Sequence, residues 1–208
     1  MKPKLVTAYA AMFISTCLLL GSCAPASETP ATQTVSGSGM AVGSGSGSYT
    51  GQDTTGDTFV AVVVHDNEAL AYVCDGNTVA EWFPGTVAAD GRLELRSAGG
   101  WTLEATLDGA GVTGSYINNE GQTVPFAAGP ASGDAGLYRA EFEGDSVAYI
   151  GGWVVREDGQ QRGAVIGGGT RRRTMNLEAV TYRATVEGFG ILPTERVTPA
   201  YVEAAVTP

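Results

Sequence analysis

His65 is the only histidine among the 208 residues, so any histidine chemistry must pass through it. Asp66, Asn67 and Glu68 follow it. A serine-histidine-aspartate relay needs a hydroxyl and a carboxylate on the two ring nitrogens. No GxSxG or comparable nucleophile motif accompanies His65. A single histidine also excludes a histidine-rich metal site, and the DxDxDG pattern of a calcium loop is missing. The simpler reading places His65 at a strand end; the sharper one is a carboxylate/histidine hydrolase.

Three other groups of residues have chemical possibilities. Gly109-Ala110-Gly111-Val112-Thr113-Gly114 matches GxGxxG, but a dinucleotide site needs a helix there to hold the pyrophosphate. The following SYINNEGQT reads as a strand end and turn, so a hairpin is expected. Trp82, Trp101 and Trp153, with Tyr72, Tyr116, Tyr138 and Tyr149, could form a stacking platform for a sugar or an apolar ligand. Most stand at alternating strand positions, where filling a core is the simpler role. Arg171-Arg172-Arg173 follows three glycines and is the only basic cluster; it reads as a solvated loop, with contact to an anionic surface as the alternative.

The elements that must position these residues are short and regular. From Asp57 to Glu187, apolar or alternating runs recur between glycine-containing turns, among them TFVAVVVH, ALAYVC, VAEWF, RLELR, WTLEATL and VAYIGGWVV. Strand-length runs at this spacing predict an all-β domain with antiparallel hairpin connections. A single up-and-down barrel or coiled meander is favoured over a Greek-key sandwich because the connections are short. In RLELR and WTLEATL the alternation predicts one dry face with Leu93, Leu95, Trp101 and Leu103, and one wet face with Arg92, Glu94 and Glu104. Parity allows pairing sums of 196 or 198. The first sets Arg92 opposite Glu104 and is expected, because the second places Glu94 against Glu104.

The flanks differ in composition. Residues 24–56 are rich in Ala, Pro, Ser, Thr and Gly, with GSGSGSY at 43–49. Such a segment buries too little to offset its ordering entropy, so a flexible tether, dispensable for folding, is expected over 23–56. A C-terminal tail is expected over 188–208.

At the start, Met1-Lys2-Pro3-Lys4 is basic, and Leu5 to Leu20 is apolar apart from four polar residues. This run is shorter than the roughly 20 residues that span a bilayer and reads as a secretory signal over 1–22. Leu20-Gly21-Ser22-Cys23 resembles the bacterial lipobox. That resemblance implies a lipoprotein: lipid attachment at Cys23, cleavage before it, and a palmitate-bearing anchor at the outer face of the cell membrane or in the outer membrane.

After such cleavage both lysines are gone, and ten arginines face twenty-two carboxylates, a formal charge of −12. That balance excludes nucleic acid as a partner, which demands a basic face. The absence of lysine excludes Schiff-base chemistry. Cys74 is left without a disulfide partner and reads as a small buried hydrophobe.

Tyr72-Val73-Cys74-Asp75-Gly76 is similar to the start of membrane-bound lysozyme inhibitors, which are lipid-anchored small β-barrels. That family pairs its cysteine with a later one and presents a Ser-Gly-x-x-Tyr loop. Here Ser132-Gly133 is followed by tyrosine only at Tyr138, so no functional residue is carried over. The wider layout resembles uncharacterised secreted β-domains of high-GC bacteria, which implies fold but no activity. The expectation is a cell-envelope lipoprotein whose β-domain is a non-catalytic binding or interaction module without a cofactor or metal. Its partner would be an envelope protein, a glycan or a small ligand. A lipocalin-like carrier of an apolar ligand is the alternative to the hydrolase.

Overall fold

A computed structural model describes residues 45–206 of the chain. Eight antiparallel strands form a closed barrel: β1 (Gly47–Asp53), β2 (Phe59–His65), β3 (Glu68–Cys74), β4 (Ala80–Val87), β5 (Arg92–Arg96), β6 (Thr102–Asp108), β7 (Gly111–Ile117) and β8 (Thr123–Pro130). Closure comes from β1 against β8, where Tyr49 pairs with Pro130 and Asp53 with Phe126. Eight strands leave an interior just wide enough for side chains to fill. Val60, Val62, Ala71, Val73, Phe83, Leu93, Leu95, Leu103, Val112 and Phe126 are among those that pack it.

The second half forms another sheet instead of extending the barrel. It comprises β9 (Gly136–Gly144), β10 (Val147–Val155), β11 (Gln161–Gly167), β12 (Thr170–Glu178), β13 (Arg183–Val186), β14 (Gly190–Pro193) and β15 (Glu195–Val197). Its order is β14-β13-β12-β11-β10-β9-β15. The outer strands β14 and β15 are separated in the chain by Thr194 alone. At about 3.8 Å per residue step, opposite edges joined by one residue must lie close together, so the sheet is rolled into an incomplete barrel. Tyr138, Tyr149, Trp153, Val165, Leu177 and Val186 fill the roll. A helix, α1 (Pro199–Val206), follows.

The barrel and the rolled sheet share a third core. Phe59, Ala61, Val63, Leu70, Tyr72 and Cys74 on the outside of β2 and β3 meet Leu137, Val154, Ala164, Val197 and Val202. Strands β2 and β3 are therefore covered on both faces, which is why FVAVVV and ALAYVC read as continuous apolar runs rather than alternating ones. Strands β5 and β6 have water on one side and alternate cleanly.

The all-β class and the antiparallel closed barrel agree with the sequence, but several boundaries move. A barrel built from the whole of 57–187 is not formed; the ring is complete at Pro130. The tether expected to reach residue 56 instead contributes β1, whose backbone pairs on both sides with β2 and β8. The predicted tail supplies β14, β15 and α1. Arg171, Arg172 and Arg173 lie in β12 rather than a loop, paired with Ile166, Val165 and Ala164. GxGxxG is a hairpin as expected: Asp108 pairs with Gly111, and its carboxylate accepts from the backbone N–H of Ala110 and Gly111.

The β5–β6 register also departs from expectation. Glu94 pairs with Glu104 and Arg92 with Thr106, so the sum is 198. Both registers bury the same leucines, so burial cannot choose between them, and the turn does. Ser97 N–H donates to Trp101 O, Gly100 N–H to Ser97 O, and Trp101 N–H to Ser97 Oγ. This three-residue loop needs a left-handed residue before the second strand, and Gly100 supplies it at φ 86°. A cross-strand like-charge pair costs on the order of 0.2–1 kcal/mol. Arg92, 2.9 Å from Glu94 along the same strand, offsets part of that. Trp101 is half-buried at the barrel mouth, stacked on Tyr116 at 5.9 Å.

Candidate functional site

A groove of about 700 Å³ lies between the barrel, the rolled sheet and α1. Leu70 of β3 and Trp82 and Pro84 of β4 form the barrel wall. Ile150 of β10, Ile166 of β11, and Tyr201 and Val202 of α1 form the opposite wall. These outward-facing barrel residues are available because β4 runs past the last residues that the rolled sheet covers. The lining is mainly apolar, and the volume falls within the range of small-ligand sites.

Three charged side chains enter it: Glu81, Arg139 and Glu141. Arg139 Nε donates to Glu141 Oε1 at 2.9 Å, and its terminal nitrogen contacts the same oxygen. Its guanidinium also lies 4.6 Å from the centre of the Trp82 ring, a cation–π contact that holds its planar face against the groove wall. Tyr72 approaches the same indole at 4.4 Å. Burial, together with the carboxylates of Glu195 and Glu141, pushes the Tyr201 phenol above its ordinary pKa, against an opposing effect of Arg139. Tyr201 is therefore a neutral hydroxyl that can donate at neutral pH.

Of the seven aromatic residues singled out in the sequence, only Trp82 lines this groove. Tyr72, Tyr116, Tyr138, Tyr149 and Trp153 are buried, as the core reading held. Cys74 is a buried thiol whose sulfur accepts from the Gly76 N–H at 3.2 Å. The groove residues Arg139, Glu141, Ile150, Ile166 and Tyr201 were not expected from sequence. One local signal did exist: Pro84 sits inside a strand-like run, and proline in a sheet marks an unpaired edge.

His65 lies at the end of β2, away from the groove lining. Ser46 Oγ is 3.2 Å from its Nδ1, and Asp66 Oδ2 is 3.8 Å from its Nε2. A hydroxyl and a carboxylate therefore do gather at the imidazole. The carboxylate stands beyond hydrogen-bond distance, however, and its side chain is 71 % exposed. Among the described residues no group of three His, Cys, Asp or Glu could hold a metal ion. The predicted attachment site, Cys23, lies outside the described residues.

Two aspartates, the buried Asp53 and the half-buried Asp75, serve the loops instead. Asp75 Oδ1 accepts from the N–H groups of Asn77, Thr78 and Val79 at 2.6–2.8 Å, closing the β3–β4 loop. Burial pushes its pKa up, but these bonds and the Thr78 hydroxyl outweigh that and hold it below the usual carboxylate value. Asp53 does the same for the β1–β2 loop through Thr55, Thr58 and Gly56, and its pKa is likewise lowered against the effect of burial. Neither carboxylate is poised for proton transfer.

Compared with known protein families, curated proteins and solved structures, the chain gives no match.

Proposed function

We propose that this chain is a lipid-anchored lipoprotein of the bacterial cell envelope, and that its β-domain is a non-catalytic binding module with the groove as its ligand site. The observation that carries the second part is the groove itself, about 700 Å³ of mainly apolar lining around the Arg139–Glu141 pair. Convergent polar groups in an apolar concavity are the usual form of a binding site. The first part rests on the basic start, the apolar run and Leu20-Gly21-Ser22-Cys23.

The packed barrel interior weighs against the carrier, since the space a lipocalin gives to its ligand holds Phe83, Leu93, Leu95, Leu103 and Phe126 here. The long distance from His65 to Asp66 weighs against the hydrolase. Two experiments test the proposal. A palmitate analogue should label the protein in cells, and Cys23→Ser should abolish both label and membrane retention; label retained in that variant overturns the anchor. A photo-crosslinking residue at position 150 should give an adduct of one defined mass, while the same residue at position 106, on the wet barrel wall, should give none. Equal labelling at both, or none at 150, overturns the groove as the site.

A further inference from the structure

We infer that the groove takes an extended peptide segment, added as a strand along an open edge of β4 and carrying a basic side chain for Glu81. This rests on the groove being the binding site and specifies what binds. The barrel is closed, but one seam is short. Strands β4 and β5 pair only through Gly85–Leu95, Thr86–Glu94 and Val87–Leu93, three pairs against seven between β3 and β4. Beyond Gly85, the first half of β4 has no partner on its β5 side.

Backbone direction shows what this edge offers. Val87 N–H points to β3, where it meets Asn67 O, and Ala88 N–H points the other way, to Arg92 O. Backbone groups alternate sides along a strand, so Ala80, Trp82 and Pro84 direct theirs into the seam. Pro84 has no N–H to give to Arg96, the last residue of β5, and past Arg96 the chain turns back into β6, so the ladder ends here. Ala80 is buried, but half-buried Trp82 keeps both an N–H and a C=O aimed at the gap, and Ala98 and Gly99 line the far side. An unpaired edge of this kind is a template for an incoming strand.

Charge and shape narrow the ligand further. Arg139 is already paired with Glu141, whereas Glu81 has no hydrogen-bond or ion-pair partner among the described residues. A Cβ on Gly99 would lie 2.8 Å from Glu81 Oε2, so the glycine leaves the carboxylate its space in the seam. Among the described charged side chains of the groove, the one left over after the Arg139–Glu141 pair is negative and calls for a basic residue. A sugar is less well served, since the one groove tryptophan is already contacted by Tyr72 at 4.4 Å and Arg139 at 4.6 Å.

The test pans a displayed library of random dodecapeptides on the full chain in detergent and measures selected peptides by fluorescence anisotropy. Binders should carry Lys or Arg within alternating apolar residues. Glu81→Gln should weaken them about tenfold, the loss expected for one charge-assisted hydrogen bond. Pro84→Val restores the missing N–H, lets the ladder reach Arg96 at the end of β5 and narrows the open edge, and should weaken binding without lowering the melting temperature. N-methylation of the peptide should abolish binding only at the residue that pairs with Trp82. Binding that survives Glu81→Gln and Pro84→Val, or that ignores N-methylation, overturns strand addition. A library that yields no binder, while position 150 still gives its single crosslinked adduct, overturns the peptide and leaves the groove; loss of both overturns the groove as well.

Discussion

Gly152 of β10 lies where the rolled sheet rests on the barrel, and adding one methyl there probes that contact. A Cβ at this position would stand 2.5 Å from Tyr72 Cζ and 2.7 Å from Trp82 Cζ2. Tyr72 is fully buried, and Trp82 is held between it and Arg139, so neither ring can retreat cheaply. Overpacking of this kind costs about 1–3 kcal/mol. We expect Gly152→Ala to destabilise by about 2 kcal/mol, lowering the melting temperature by roughly 4–8 °C at about 2–4 °C per kcal/mol for a domain of this size. Urea titration should move the midpoint and leave the slope unchanged. Gly109→Ala is the control: its Cβ meets nothing within 4 Å, and it should stay within about 0.5 kcal/mol of wild type. In a Tyr72→Leu background, which removes the closer ring atom, the cost of Gly152→Ala should shrink. If Gly152→Ala is as silent as Gly109→Ala, the two sheets do not pack as described.

Asp75→Ala leaves three loop N–H groups without their carboxylate and should cost about 2 kcal/mol by urea titration. Because the folded pKa of Asp53 and of Asp75 lies below the ordinary aspartate value of 3.8, their contribution is present above that value and is lost as pH falls through the folded pKa. Stability should therefore begin to drop below about pH 4, and less steeply in Asp75→Asn. A chain starting at Asp57 lacks β1, which pairs with both β2 and β8; it should fail to melt cooperatively, and a wild-type-like melt would mean the ring does not need that strand. Because the outer faces of β2 and β3 and the rolled sheet share one core, the wild-type domain should unfold in a single transition by fluorescence and circular dichroism alike.

What the sequence revealed follows from which forces act locally. RLELR was legible to the residue because one side faces Leu103 and Ala105 and the other faces water, so polarity alone draws the strand. GSYTGQD of β1 was not, because its ladder to β2 and β8 is made by backbone groups that leave no trace in composition. TRRRTMNLE of β12 was hidden for the same reason, its charge run resembling a loop. Alternation also cannot say which strand closes a ring. Tyr49 meeting Pro130 ended the barrel early and left the remaining strands to roll on their own. The β5–β6 register was lost by weighing one exposed charge pair above a turn whose glycine had to be left-handed. The groove was illegible because its lining comes from six elements and the β5–β6 turn, and only Trp82 among its aromatic residues stood out beforehand.

The position of the groove follows from how the barrel satisfies itself. An eight-stranded ring fills its interior with its own side chains, so an apolar ligand surface must be made outside it. Most of the outer wall is either wet, as at Arg92, Glu94 and Glu104, or already covered, as at Phe59, Val63 and Tyr72. The exception lies on β4 past the buried Ala80, at Trp82 and Pro84, where the covering sheet gives out beside Ile150 and Ile166. At this same place β5 ends at Arg96 and turns back into β6, and Pro84 has no N–H to offer it. Apolar surface and unpaired backbone therefore coincide at one spot, and either alone would be a liability in a folded domain. A partner that hydrogen-bonds like a strand and buries alternate side chains would satisfy both deficits at once. Neither a free fatty chain, which lacks the donors, nor a sugar, which lacks the apolar area, would do so.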